Sequence, residues 1–145
     1  MNKKLIPSAE ESPPLDGKML DGFHFEGNGK HEKTEYPELE KSKSYIIVEI
    51  IEYIPNAVVS KTIIKKSTGN ISVMSFDSGE GLTEKTSPFD TFAQIIDGKA
   101  EIVIDKKPTI LESGQGIIIP AHTPNHIKPN GRFKMILTII KSGYE

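Results

Sequence analysis

The sequence predicts an all-β domain, a sandwich or barrel of short strands, preceded by an irregular arm. Three observations carry this prediction. Past residue 43, β-branched apolar runs recur, with turn residues between them about every 8 to 12 positions. Several of these runs alternate polar and apolar residues, the period of a strand with one buried face. Residues 1–42, by contrast, are rich in Pro, Gly, Glu and Lys and poor in branched apolar side chains.

In chain order, "PSAEESPPLDGK" and "GNGKHEKTEYPELEKSK" read as irregular chain full of breakers. Between them, "MLDGFHFEG" brings Leu20, Phe23 and Phe25 close together, an anchor able to lay the arm on a surface or against a second subunit. The expected division is an arm over 1–42 and a barrel over 43–145. "YIIVEIIEYI" (45–54) has helical as well as strand periodicity, but its Val, Ile and Tyr content favours a strand, stopped by Pro55-Asn56. "AVVSKTIIKK" and "ISVMSFD" follow, joined by the turn "STGN". "DTFAQIID", closed by Gly98, and "KAEIVID" are the next strands, and "KKP" leads into "TILESG". "GQGIIIPAHTPNHIKP" and "RFKMILTIIK" complete about seven or eight strands.

Composition excludes several function classes. Lys plus Arg number 18 and Asp plus Glu 20, and a net charge of −2 gives no electrostatic footprint for nucleic acid or an anionic membrane. Cysteine is absent, which removes disulfides, thiolate catalysis and cysteine-ligated metal. No run approaches the roughly 20 apolar residues of a membrane helix, and "MNKKLIPSAEESPP" lacks the apolar stretch of a signal peptide. A soluble, cytoplasmic protein of one domain is expected.

Two segments in order and at the right separation, "GEGLTEKTSPFDTFAQIIDG" (79–98) and "GQGIIIPAHTPNHIKP" (114–129), resemble the paired motifs of the cupin superfamily. The likeness spans about residues 45–142 and extends to "PFD" and "RFKM", which are similar to one set of small single-domain cupins. It implies a double-stranded β-helix, or jelly-roll barrel. Gly79 and Gly98 frame the first motif, and Gly114 and Pro120 open the second. The family's metal-ligand positions fall on Lys85, Ser87, Thr91 and Asn125, and its second-motif glycine on His122. An ammonium has no lone pair for a metal. Two hydroxyls and one amide are a poor set for Fe, Mn, Ni or Zn. No metal or other cofactor is therefore expected.

In this fold the ligand positions face inward, so Lys85, Ser87, Thr91 and Asn125 are expected to line a cavity over an apolar floor that includes Ile95 and Ile127. His126 and Glu84 are expected to point outward, and His122 to sit in the loop at the mouth. Such a lining suits a small polar or anionic ligand: Lys85 pairs with the charge while Ser87 and Asn125 orient it. The Pro-Phe-Asp bend reads as architecture, with Asp90 bonding backbone amides of the bend. Pro120 and Pro124 forbid a helix that would put His122 and His126 on one face. His24 and His31 lie in the arm, with surface roles as the default.

Three functions compete. The first is a metal-free small-molecule-binding module contacting Lys85, Ser87, Thr91, His122 and Asn125. The second is an enzyme, either metal-dependent through a rearranged site at His122 or a metal-free isomerase or lyase using Lys85. The third is a structural or interaction protein with a filled barrel. The outward stripe of Phe92, Gln94 and Ile96 needs cover, and the resemblance implies a homodimer.

Overall fold

The computed structural model describes residues 19–21, 24–25 and 38–144. Among the described residues ten strands form a curled, almost entirely antiparallel sheet: β1 Met19–Asp21, β2 His24–Phe25, β3 Val58–Lys66, β4 Gly69–Phe76, β5 Leu82–Lys85, β6 Asp90–Ile104, β7 Lys107–Glu112, β8 Gly116–Ile119, β9 Asn125–Ile127 and β10 Phe133–Ile140. Their order is β2-β1-β3-β4-β10-β6-β9-β5, with β7 and β8 also pairing to β6. The fold is a cupin-type jelly-roll barrel. Among the described residues no helix is long and apolar enough to cross a membrane.

β6 joins the two sheets of the barrel. Its first half pairs with β10 and β8, and its second half with β7 and β9. The sequence suggests two strands broken at Gly98; the structure has one strand that bends there. Gly98 takes φ 80°, and a Cβ at this position would strike the Arg132 carbonyl. Just before it, Ile95 pairs with Met135 and Asp97 with Lys134, leaving Ile96 as a bulge. The bulge shifts the alternation by one. Ala93 and Ile95 face the interior before it, Ala100 and Ile102 after it, and all four are buried in one core.

That core grades from one end of the barrel to the other. At the closed end, Phe76 and Phe133 stack with ring centroids 4.3 Å apart, and Met135 and Ile95 are likewise buried. Toward the other end the lining residues Leu82, Ile104, Ile117 and Leu137 are only partly buried. The half-buried end is the mouth, where the loops 86–89 and 120–124 meet.

Two further expectations are corrected. Residues 45–54 form no strand: Ile47–Glu49 is a single turn of 3-10 helix, and the segment runs as a strap across the outer face of the sheet. Ile50, Ile51 and Ile54 pack there on Val59, Val73, Ile96 and Ile136. The β-branched residues are there to be buried, and the edge of β3 that a strand would need is taken by β1. Second, the arm is not wholly irregular. Met19–Asp21 pairs in parallel with Val58–Ser60, and His24–Phe25 pairs back on it. Phe23 and His31 lie outside the described residues.

Side chains of the sheet pin the strap at alternate carbonyls. Lys134 Nζ donates to Val48 O (2.6 Å), Lys61 Nζ to Ile50 O (3.3 Å) and Ser75 Oγ to Glu52 O (2.8 Å). The Tyr53 hydroxyl donates to Asp97 Oδ2 at 2.7 Å, with Lys134 Nζ 4.9 Å from its ring centroid. Burial first, then the Asp97 bond and charge, push the Tyr53 phenol well above its ordinary value of 10.0.

Candidate functional site at the barrel mouth

Lys85 and Asn125 stand directly opposite each other on paired β5 and β9, and Asn125 also pairs with Ile104 of β6. The three side chains form one row on the inner face. The next row down is Leu82, Ile127 and Ile102. Between the rows β5 carries an extra residue: Leu82 to Lys85 spans three positions against two from Ile127 to Asn125. Without this bulge, alternation from Leu82 would turn Glu84 inward. With it, the ammonium faces Asn125 and the Glu84 carboxylate is left outside, exposed.

The pair is held from the asparagine side. Asn125 is 4% exposed. Its Nδ2 donates to Thr123 O (3.0 Å) and Lys85 O (3.4 Å), which turns Oδ1 toward Lys85 Nζ, 3.4 Å away. Both amide donors are thus committed, and the oxygen alone meets the amine. Lys85 keeps solvent access. Even so, the protein around its amine displaces enough water to pull it below its ordinary value of 10.5. Among the described residues no carboxylate forms an ion pair with it, whereas Lys43, Lys128 and Arg132 each have one.

The remaining candidates divide. Thr91 pairs with Ile119, a core residue, so it sits on the inner face at the start of β6. Ser87 has a local task that sequence reasoning missed: its Oγ accepts the Phe89 N–H at 3.1 Å, closing the bend. Ser87 O accepts the His122 N–H, 2.6 Å away, tying the two motif loops together. His122 is exposed and has φ 63°, a left-handed conformation at the position where the family motif has glycine. His126 pairs with Val103 on the outer face, and Ile127 is buried inside.

Asp90 also differs from expectation. Its Oδ1 accepts from Ala121 N (2.8 Å), across to the other motif, instead of serving its own bend. Its N–H donates to the Tyr144 hydroxyl (2.7 Å), which donates onward to Ile140 O (2.8 Å). Nothing in the sequence signals Tyr144. These bonds fix the rim of the mouth to the end of β10.

The family's metal finds no suitable donors here. Its four positions present an ammonium, two hydroxyls (one engaged by Phe89 N–H) and an amide committed to its neighbours. Among the described residues no three His, Cys, Asp or Glu side chains gather as a metal site, at His122 or elsewhere.

No family model matches the sequence, and no curated protein resembles it closely enough to count. Solved structures do. The chain is 26% identical to a conserved protein of unknown function from Streptococcus pyogenes, covering 78% of this chain and 99% of that one, with a TM-score of 0.69. A cupin superfamily protein from Desulfitobacterium hafniense is 28% identical over 75% of this chain and 100% of its own (TM-score 0.68). A cupin 2 conserved barrel domain protein from Leptotrichia buccalis is 31% identical over 67% of this chain (TM-score 0.65), and the match spans 47% of that longer protein. Motifs, fold and these likenesses agree: the chain belongs to the cupin superfamily.

Proposed function

We propose that the protein is a metal-free binding module for a small polar or anionic molecule, held at the barrel mouth. The observation that carries this reading is the cross-strand row of Lys85, Asn125 and Ile104. It places a cation that has no ion pair among the described residues beside a fixed amide oxygen and an apolar wall. An anion there gains a charge-assisted hydrogen bond from a partly desolvated donor, stronger than the same bond on an open surface. Thr91 supplies a further hydroxyl. His122 and Ser87 contribute to the rim through the bond between their backbones. The stacked Phe76 and Phe133 fill the far end, so the ligand is held at the mouth.

The alternatives have less support. A metal enzyme centred on His122 lacks neighbouring ligands among the described residues. A fully filled structural barrel suits the closed end but not the half-buried mouth. A cytoplasmic homodimer is part of the reading. The outer row of Ile118 and Phe92 with nearby Ile140, 64%, 41% and 50% exposed, is the surface we assign to the second copy. Sedimentation of the parent against Phe92→Ser tests that pairing.

The binding test is a titration of the full chain with glycolate and inorganic phosphate, followed by the Asn125 side-chain amide resonance. Saturable shifts that weaken at least tenfold in Lys85→Ala, with unfolding unchanged, support the reading. Equal affinity in parent and variant overturns it.

A further inference from the structure

We propose that Lys85 is also a carbonyl-capturing amine, and that the ligand class of the mouth includes small oxo acids that condense with it as imines. This rests on the reading of the mouth as a binding site and adds a reversible covalent step.

Four features of the geometry converge on it. The β5 bulge delivers Lys85, and not Glu84, to the inner face. Its cross-strand neighbour offers only an acceptor, because both Asn125 amide hydrogens are spent on Thr123 O and Lys85 O. An amide oxygen accepts from both –NH₃⁺ and –NH₂, more strongly from the cation, but at 3.4 Å and without a full negative charge it holds the ammonium far less than a carboxylate would, and nothing on Asn125 occupies the lone pair of the neutral amine. The flanking inner residues Ile104 and Leu82 are apolar and, among the described residues, no carboxylate pairs with the amine. Solvent access leaves a path for the reactant. A lysine beside apolar side chains and without a counter-charge is more readily the neutral amine, the form that attacks a carbonyl.

The step balances without a redox partner. The amine lone pair forms the C–N bond, and the carbonyl electrons move to oxygen, which takes a proton to give the carbinolamine. Loss of that oxygen with both former amine hydrogens releases one water and leaves the C=N imine. Water reverses it. The acid group of the reactant remains at the rim, near Thr91 and the 120–124 loop.

The experiment incubates the full-length chain with glyoxylate and sodium cyanoborohydride, which reduces the imine to a stable carboxymethyl amine. Digestion and mass spectrometry then give the rate at each lysine. Lys85 is expected to label at least several-fold faster than Lys43, Lys106 or Lys141, and to keep its lead as pH falls toward neutrality. In Asn125→Asp the new carboxylate holds the amine protonated, so labelling at Lys85 falls several-fold while the other lysines are unchanged. A rate at Lys85 no greater than the surface average overturns the proposal, as does an Asn125→Asp rate equal to the parent's. Glycolate, which has the acid but no carbonyl, separates the two readings. Saturable glycolate shifts without selective labelling remove the imine and leave the binding site standing. Neither shifts nor labelling removes both.

Discussion

Lys85 and Lys134 are both pulled below the ordinary lysine range by loss of water, yet their surroundings differ in kind. Lys134, on the outer face, is 8% exposed and bonded at 2.6 Å to Val48 O, with its ammonium over the Tyr53 ring. Asp97, Glu52 and Glu49 lie close enough to restore part of what burial removes. Lys85, at the mouth, has solvent, one long contact to Asn125 and no acid counter-charge among the described residues. The difference separates a cation used by the fold from one that the fold leaves without an acid partner among the described residues, the cation on which the proposed binding reading depends.

The contrast is broken most directly by truncation. Lys134→Ala strands the Val48 carbonyl and opens a space under the strap, at an expected cost of about 2–3 kcal/mol. Lys85→Ala is expected to stay within about 0.5 kcal/mol of the parent. Urea unfolding of both variants measures this, and equal losses would erase the distinction. Ligand affinity is expected to reverse the order: Lys85→Ala weakens glycolate by about tenfold or more, while Lys134→Met leaves it unchanged, read by the same resonance titration.

The strap region supplies a smaller effect. Tyr53→Phe removes the bond to Asp97 and is expected to cost about 1 kcal/mol near neutrality. Because the folded phenol holds its proton above 10.0, the unfolded state releases it first, and this contribution is fully present below that pH and lost as pH rises beyond it. Melting curves of the parent should therefore fall in alkali relative to Tyr53→Phe. Lys85 has the opposite sign and the smallest effect. Its charged form is disfavoured in the fold, so a penalty is present below its folded pKa and fades as pH rises toward 10.5. Lys85→Met is expected to be slightly more stable than the parent at neutral pH, with the gap closing in alkali.

Much of this was legible in the sequence, for uneven reasons. Most strands from Val58 onward follow from alternation and turn residues, because each has one face in a single core; the short strand Leu82–Lys85 was not among the runs read as strands. The strap was misread because a β-branched run signals burial as strongly as it signals a strand, and only the occupied edge of β3 decides between them. Lys85 and Asn125 came from the motif frame. Alternation counted from Leu82 would have chosen Glu84, since a bulge leaves no mark in composition. The Ser87–Phe89 turn bond, the Asp90–Ala121 bond and the Tyr144 brace were hidden, because each depends on where a short side chain lands after two loops meet.

In the proposed reading the mouth holds a small molecule through Lys85 without a metal. Native mass spectrometry of tag-free protein purified from cells tests it most directly, since one spectrum reports metal, retained ligand and subunit count. A small organic mass is expected on the parent and absent from Lys85→Ala, with no transition metal on either. One transition metal per chain, retained in Lys85→Ala and lost in His122→Ala, would contradict it.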